Sequence, residues 1–202
     1  MTGLRRSWPW WRWVLTGLSA LALALSAYLG WHSLVGGSVI GCGVGSPCDR
    51  VLNSRWSSVG GVLPVSGLAA GAYLAMLVAS LFIGPATAAP VRRLAWSTML
   101  LLVGAAAGSA VWFIIVQKWM IGAFCPYCTA THITGLLLAA LVTLQAPKQL
   151  KDDSTHVALT KPAPVQDVPP AAPRRLAWAG LVLAGMLAVC QVAIAPPPVS
   201  RA

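Results

Sequence analysis

The sequence predicts an all-α integral membrane protein with five transmembrane helices, and three observations carry that prediction. Of 202 residues, 57% are hydrophobic and only 9% are charged, where a soluble domain carries about 25% charged residues. The mean hydropathy is +0.75. Five stretches, 14–34, 63–83, 94–116, 123–144 and 176–195, contain no Asp, Glu, Lys or Arg. Each meets the roughly 20 apolar residues that a helix needs to cross a hydrocarbon layer about 30 Å thick. Backbone polar groups in lipid must be paired within their own segment, so single apolar runs of this length are helices. A water-soluble enzyme and a disordered chain are both excluded, the latter because disorder requires low hydrophobicity. The formal charge of +10 comes from basic residues scattered in ones and twos between apolar runs. That is no footprint for nucleic acid, which needs the cations on one domain or face.

Taken in order, residues 1–13 form a basic, Trp-rich segment, and the first span follows at 14–34. Its apolar run exceeds the roughly 7–15 residues of a signal-peptide core, so it is read as a retained helix. Residues 36–62 form a loop rich in Gly, Ser and Cys, and 146–175 a connector with six of the 15 prolines. Such a composition predicts an extended, solvated linker. The tail, 196–202, begins with three prolines. With the N-terminus inside, ten basic residues (Arg5, Arg6, Arg12, Arg92, Arg93, Lys148, Lys151, Lys161, Arg174 and Arg175) lie on the inner side, against four (Arg50, Arg55, Lys118 and Arg201) outside. Basic residues favour the cytoplasmic side, so the expected topology is N-in and C-out in the plasma or inner membrane.

With that topology four of the five cysteines meet at the outer face, which borders the compartment where disulfides persist. Cys42 and Cys48 lie in the first outer loop, and Cys125 and Cys128 at the outer end of the fourth span. Cys125-Pro126-Tyr127-Cys128 is a C-x-x-C motif opening a helix. Unpaired N–H groups and partial positive charge there favour a thiolate, and Pro126 suits the first turn, where its missing N–H costs little. Glycines at 41, 43 and 45 with Pro47 predict a tight, mobile loop between Cys42 and Cys48, accessible for thiol exchange. From the residues alone, fixed structural bridges or a zinc site on a non-enzymatic membrane scaffold stay open. The five-residue gap exceeds usual zinc spacing, and no histidine lies in the loop.

The chain resembles the vitamin K epoxide reductase family, in its bacterial branch. The likeness rests on Cys42…Cys48-Asp49-Arg50-Val51-Leu52-Asn53-Ser54-Arg55-Trp56, on Pro64-Val65-Ser66 opening the second span, and on the Cys125–Cys128 motif. It covers roughly residues 14–145, and the fifth span is similar to the extra helix of bacterial members. The resemblance implies a four-helix bundle around a quinone site (menaquinone or ubiquinone) near the outer surface. It implies that Cys125 and Cys128 form the active centre, with Cys128 nearest the quinone. Cys42 would meet a reduced thioredoxin-fold partner, and Cys48 would relay electrons to Cys125 through a transient disulfide. Ser54 matches a serine on a short helix beside the active site. The implied activity is thiol oxidation for disulfide-bond formation; reduction of an epoxide or quinone of the vitamin K cycle type uses the same residues. Many bacterial members continue into a thioredoxin-like domain. Here the partner is expected as a separate protein or as a domain beyond this chain.

Two positions depart from the family pattern. Val65 stands where the family has an active-site asparagine. His132 stands where vertebrate members have a tyrosine. His132 lies four residues past Cys128, about 6 Å along the same helix face, and is a candidate for a quinone hydrogen bond, alongside Ser54, Val65 and Ser66. No metal ligand set is expected. The pairs Gly67-x3-Gly71 and Gly104-x3-Gly108 predict close helix approach. Thr129, Thr131 and Thr134 are expected to bond carbonyls of their own helix. Asp49 and Arg50 are expected at the loop surface, and Cys190 as an inert apolar residue.

Overall fold

The computed structural model describes residues 9–36, 39–84, 86–160 and 172–194, with side chains described outside 151–160 and 172–173. Residues 1–8, 161–171 and 195–202, on which parts of the N-terminal, linker and tail expectations fall, lie outside the described residues.

Five long helices correspond to the five spans. They are α1 (Trp10–Val35), α3 (Val65–Phe82), α4 (Ala89–Ile115), α5 (Pro126–Thr160) and α6 (Ala172–Ile194), with a short α2 (Pro47–Leu52) in the first loop. All five are long and apolar enough to cross a membrane, and the candidate span of α5 runs over Pro126–Leu150. Helix α1 packs on α3 and α5, and α4 packs on α3 and α5, closing a four-helix bundle; α6 lies against α4. The bundle core holds Leu15, Met76, Trp96, Met99, Val103, Leu138 and Val142, and Trp11 meets Trp96 with ring centroids 6.0 Å apart. Large apolar side chains such as Leu74, Val111, Leu137 and Val189 point outward. That is the inverse of a water-soluble bundle and suits a lipid surround.

The first loop is more ordered than its composition predicts. Ser46 caps α2 by accepting from the Asp49 N–H at 3.2 Å, and Pro47 occupies the first turn. A 3-10 turn (Arg55–Ser57) and a two-residue antiparallel pair, β1 (Ser58–Val59) with β2 (Leu63–Pro64), lead directly into α3. Gly41 and Gly45, at φ +76° and +80°, take a left-handed conformation that Cβ-bearing residues resist.

Two expectations are corrected. The connector at 146–175 is not extended from its start, because α5 continues through Pro147 to Thr160. Proline removes one intrahelical bond, but Lys148, Gln149, Leu150 and Lys151 are good helix formers and the turn before Pro147 is held by the buried Ala146. Of the Gly67-x3-Gly71 pair only Gly67 lies where helices meet, a Cβ on Gly30 of α1 standing 3.6 Å from Gly67 N in ordinary contact, while one on Gly71 would meet open space. The tight crossings use other glycines. A Cβ on Gly108 would stand 2.7 Å from Ala184 Cβ, and one on Gly180 would stand 3.0 Å from Gly104 Cα, so Gly104-x3-Gly108 does seat α6 on α4.

Candidate functional site

The cysteine end of the bundle is built from the first loop, the end of α4 and the start of α5. After Ile115 the chain widens into a π-helical turn, Val116–Ile121, and Gly122 reverses it at φ 65°. This reversal brings Cys125 back beside Gln117. The Cys125 N–H donates to Gln117 Oε1 at 2.9 Å, and the Ala123 N–H to the Gln117 main-chain carbonyl at 3.1 Å. One buried glutamine thus holds both ends of the short segment ahead of the C-x-x-C.

Pro126 opens α5 as expected, and Cys125 acts as its cap. The Cys125 carbonyl accepts the first helical bond from Thr129 N at 2.9 Å, and its Sγ accepts from Cys128 N at 3.4 Å. The apolar helix begins at Pro126, three residues later than the expected start of the fourth span at 123, so Cys125 lies just ahead of it. Its thiol is pulled down to about 7, chiefly by the hydrogen bond from the Cys128 side chain, against an opposing effect of burial.

Cys42 and Cys48 are joined in a disulfide with Cα atoms 5.7 Å apart, while Cys125 and Cys128 carry free thiols. Cys42, Cys48 and Cys125 belong to one buried cluster with Leu29, Val39, Val51 and Ala123, and Cys128 packs against it. The expectation of an openly accessible disulfide is corrected by this packing. Cys48 is 1% exposed and Cys42 7%, so both are buried and Cys42 is the less buried of the two. Asp49 pins the loop, accepting from Gly45 N at 2.9 Å and Asn53 Nδ2 at 2.6 Å. Arg50 ties α2 to the π turn, donating to the Ile121 carbonyl at 3.0 Å. Tyr127 Oη donates to the Ile40 carbonyl at 2.9 Å, fixing the loop to α5 from the other side.

Beside the cluster lies a half-open, mainly apolar cleft, and Cys128 is the cysteine in its wall. The wall also holds Ser54, Val65, Ser66 and His132, so the structure brings together all four positions singled out for ligand contact. Ser54 sits at the junction after α2 rather than on a helix, and its hydroxyl donates to the Val51 carbonyl at 2.7 Å. His132 stacks on Phe113, centroids 5.8 Å apart and planes 2° from parallel. Thr131 and Thr134 bond carbonyls of their own helix as expected, whereas the Thr129 hydroxyl is buried without a partner. Cys190 is exposed on the outer surface of α6. Among the described residues no group of three or more His, Cys, Asp or Glu gathers to hold a metal.

Among the wall residues that sequence reasoning missed are Ser26, Phe113 and Gln117. Ser26 is 1% exposed with its hydroxyl unpartnered. A lone Ser or Gln in an apolar helix has no motif to announce it. The available signal is its rarity there, since polar groups inside spans are costly and tend to mark function.

The site is thus a membrane-helix bundle with two cysteine pairs packed at one end, one pair opening a helix beside an apolar cleft. A profile of the Vitamin K epoxide reductase family matches residues 13–143. The chain belongs to that family. It is a multi-pass membrane oxidoreductase of the thiol/quinone class, in a family that works with quinones and with thioredoxin-like partners.

Proposed function

We propose that this protein oxidises a reduced thioredoxin-fold partner and passes the electrons to a quinone, so supporting disulfide-bond formation. The observation that carries this reading is the packing order of the sulfurs. Cys42, Cys48 and Cys125 share one buried cluster in which Cys42 is the least buried, and Cys128 is the cysteine of the cleft wall.

Each transfer is attack of a thiolate on a disulfide sulfur. A partner thiolate attacks Cys42, and the second partner thiol resolves the mixed disulfide, leaving Cys42 and Cys48 as thiols. The Cys48 thiolate then attacks Cys125 of an oxidised Cys125–Cys128 pair, forming a Cys48–Cys125 disulfide and releasing Cys128 as the leaving thiolate. Attack of Cys42 on Cys48 restores the first disulfide and frees Cys125. The cap position, together with the Cys128 hydrogen bond once that thiolate has taken up a proton, favours Cys125 as a leaving thiolate in this last exchange. When bound, a quinone supplies an acceptor for two electrons and two protons, and the Cys125–Cys128 bond closes again.

The residues present fit such a group. The wall is mostly apolar, Phe113 and Trp56 are among its members, and Ser26 keeps a buried hydroxyl with no partner in the protein. Ser66, His132 and Val65 would line the ring's surroundings, with Val65 contributing contact only. We further propose residues 14–145 as the catalytic unit, α6 as its brace, and an N-in topology in the plasma or inner membrane, supported by the ten-to-four bias of basic residues.

The test is quinone reduction by the purified protein with a dithiol donor, repeated with Cys42, Cys48, Cys125 and Cys128 each changed to Ser. Loss in all four variants supports the relay. Full activity in the Cys42 and Cys48 variants with the physiological type of donor, a reduced thioredoxin-fold protein, refutes it.

A further inference from the structure

We propose that Gln117 is the hydrogen-bond donor to a quinone carbonyl, standing in for the family's asparagine at the position that Val65 occupies. The inference rests on the reading of the cleft as the quinone site.

The orientation of the Gln117 amide is set by its neighbour. A buried main-chain N–H requires an acceptor, and the Cys125 N–H has Gln117 Oε1 at 2.9 Å. The oxygen therefore faces Cys125, and the other end of the amide is an NH2 group with two donor hydrogens. Gln117 is only 2% exposed, yet its side chain forms part of the cleft wall.

Three hydroxyls of that wall, those of Ser54, Ser57 and Thr131, are already engaged, which leaves the amide of Gln117 beside the hydroxyls of Ser26, Ser33 and Ser66. Ser54 Oγ donates to the Val51 carbonyl, Ser57 Oγ to the Ser54 carbonyl at 2.8 Å, and Thr131 Oγ1 to the Tyr127 carbonyl at 3.0 Å. Each hydroxyl has one hydrogen to give, so none of these three has one left for a ligand oxygen. The buried, unpartnered Ser26 hydroxyl is an independent sign that the wall is built to receive a polar atom, because orphaned buried polar groups are costly. Val65 carries no donor at all.

The chemistry asked of Gln117 is a hydrogen bond to an oxygen that gains negative charge as electrons arrive, with no proton lost by the amide. Its other end holds the Cys125 main chain, so the same side chain positions the dithiol and the acceptor relative to one another.

The test measures binding, with no turnover, by quenching of tryptophan fluorescence in the fully oxidised protein. The probes are menadione and a short-chain ubiquinone. Gln117→Met is expected to weaken binding about tenfold, the scale of one lost hydrogen bond with its partner left unpaired. Adding Val65→Asn to Gln117→Met is expected to recover part of that loss. Gln117→Glu keeps an oxygen for the Cys125 N–H. Its affinity is expected to approach wild type at acid pH, where the carboxyl carries a hydrogen, and to fall as pH rises; wild-type affinity stays flat. If Gln117→Met does not fold, Gln117→Glu carries the test. Wild-type binding with unchanged affinity and a flat profile in Gln117→Glu overturns this inference alone. Failure of both probes to bind the wild type overturns the reading of the cleft, and this inference with it.

Discussion

The Gln191 side chain on α6 donates to the main-chain carbonyl of Trp56 at 3.2 Å and accepts from the Trp112 ring N–H at 3.0 Å. One buried amide thus ties the fifth long helix both to α4 and to the loop that carries Cys42 and Cys48. Trp56 and Trp112 meet edge to face with centroids 6.0 Å apart, and Trp56 also forms part of the cleft wall.

Changing Gln191 to Leu leaves the Trp112 N–H and the Trp56 carbonyl without partners. The expected loss is about 1–3 kcal/mol of stability, read as a lower melting temperature in detergent. Faster labelling of Cys128 by a thiol reagent is expected alongside it, as the wall at Trp56 loosens.

The proposed relay predicts a trapped intermediate. With Cys42→Ser and Cys128→Ser combined, neither resolving thiol remains, and Cys48 and Cys125 belong to one packed cluster. Mild oxidation is expected to yield a Cys48–Cys125 disulfide as the major product, seen by peptide mapping without reduction. A product dominated by intermolecular dimers would count against the relay.

The lowered Cys125 thiol predicts a pH signature. Because the shift is downward, the thiolate is present above about 7 and is lost as pH falls through that value. Each further unit of acidity reduces the thiolate fraction about tenfold. Thiolate ultraviolet absorbance of the reduced protein, compared with Cys125→Ser, should titrate there. The first cause is the Cys128 hydrogen bond, so Cys128→Ala should move the midpoint up toward the ordinary thiol range.

Helix α6 supplies a packing test. A Cβ on Gly180 would stand 2.7 Å from the Ala105 main-chain nitrogen, whereas one on Gly71 meets nothing within 4 Å. Gly180→Leu is expected to cost at least about 1–3 kcal/mol by overpacking. Gly71→Leu is expected to leave the melting temperature nearly unchanged, because its side chain points into open surroundings.

The five spans were legible because about 20 apolar residues without charge admit one structure in lipid. The C-x-x-C at the start of α5 was legible because its local chemistry carries its own punctuation, Pro126 in the first turn. The continuation of α5 past Pro147 was not legible. A proline reads as a stop, and only the packing around Ala146 shows the helix surviving it. Gly67 and Gly104 present the same small-residue spacing, yet only Gly104 lies at a tight crossing, since spacing gives a face and tertiary placement decides what meets it. Gln117 was invisible for a similar reason. Its bond to Cys125 exists through a π turn and a left-handed Gly122, and neither has a sequence signature as plain as a motif.

The complete burial of Cys125, at 0% exposure, has a consequence for fidelity. A sulfur shut away from water is out of reach of the small thiols and peroxides that would otherwise drain or scramble its oxidation state. Its chemistry is confined to the sulfurs beside it, much as insulation confines current to a wire.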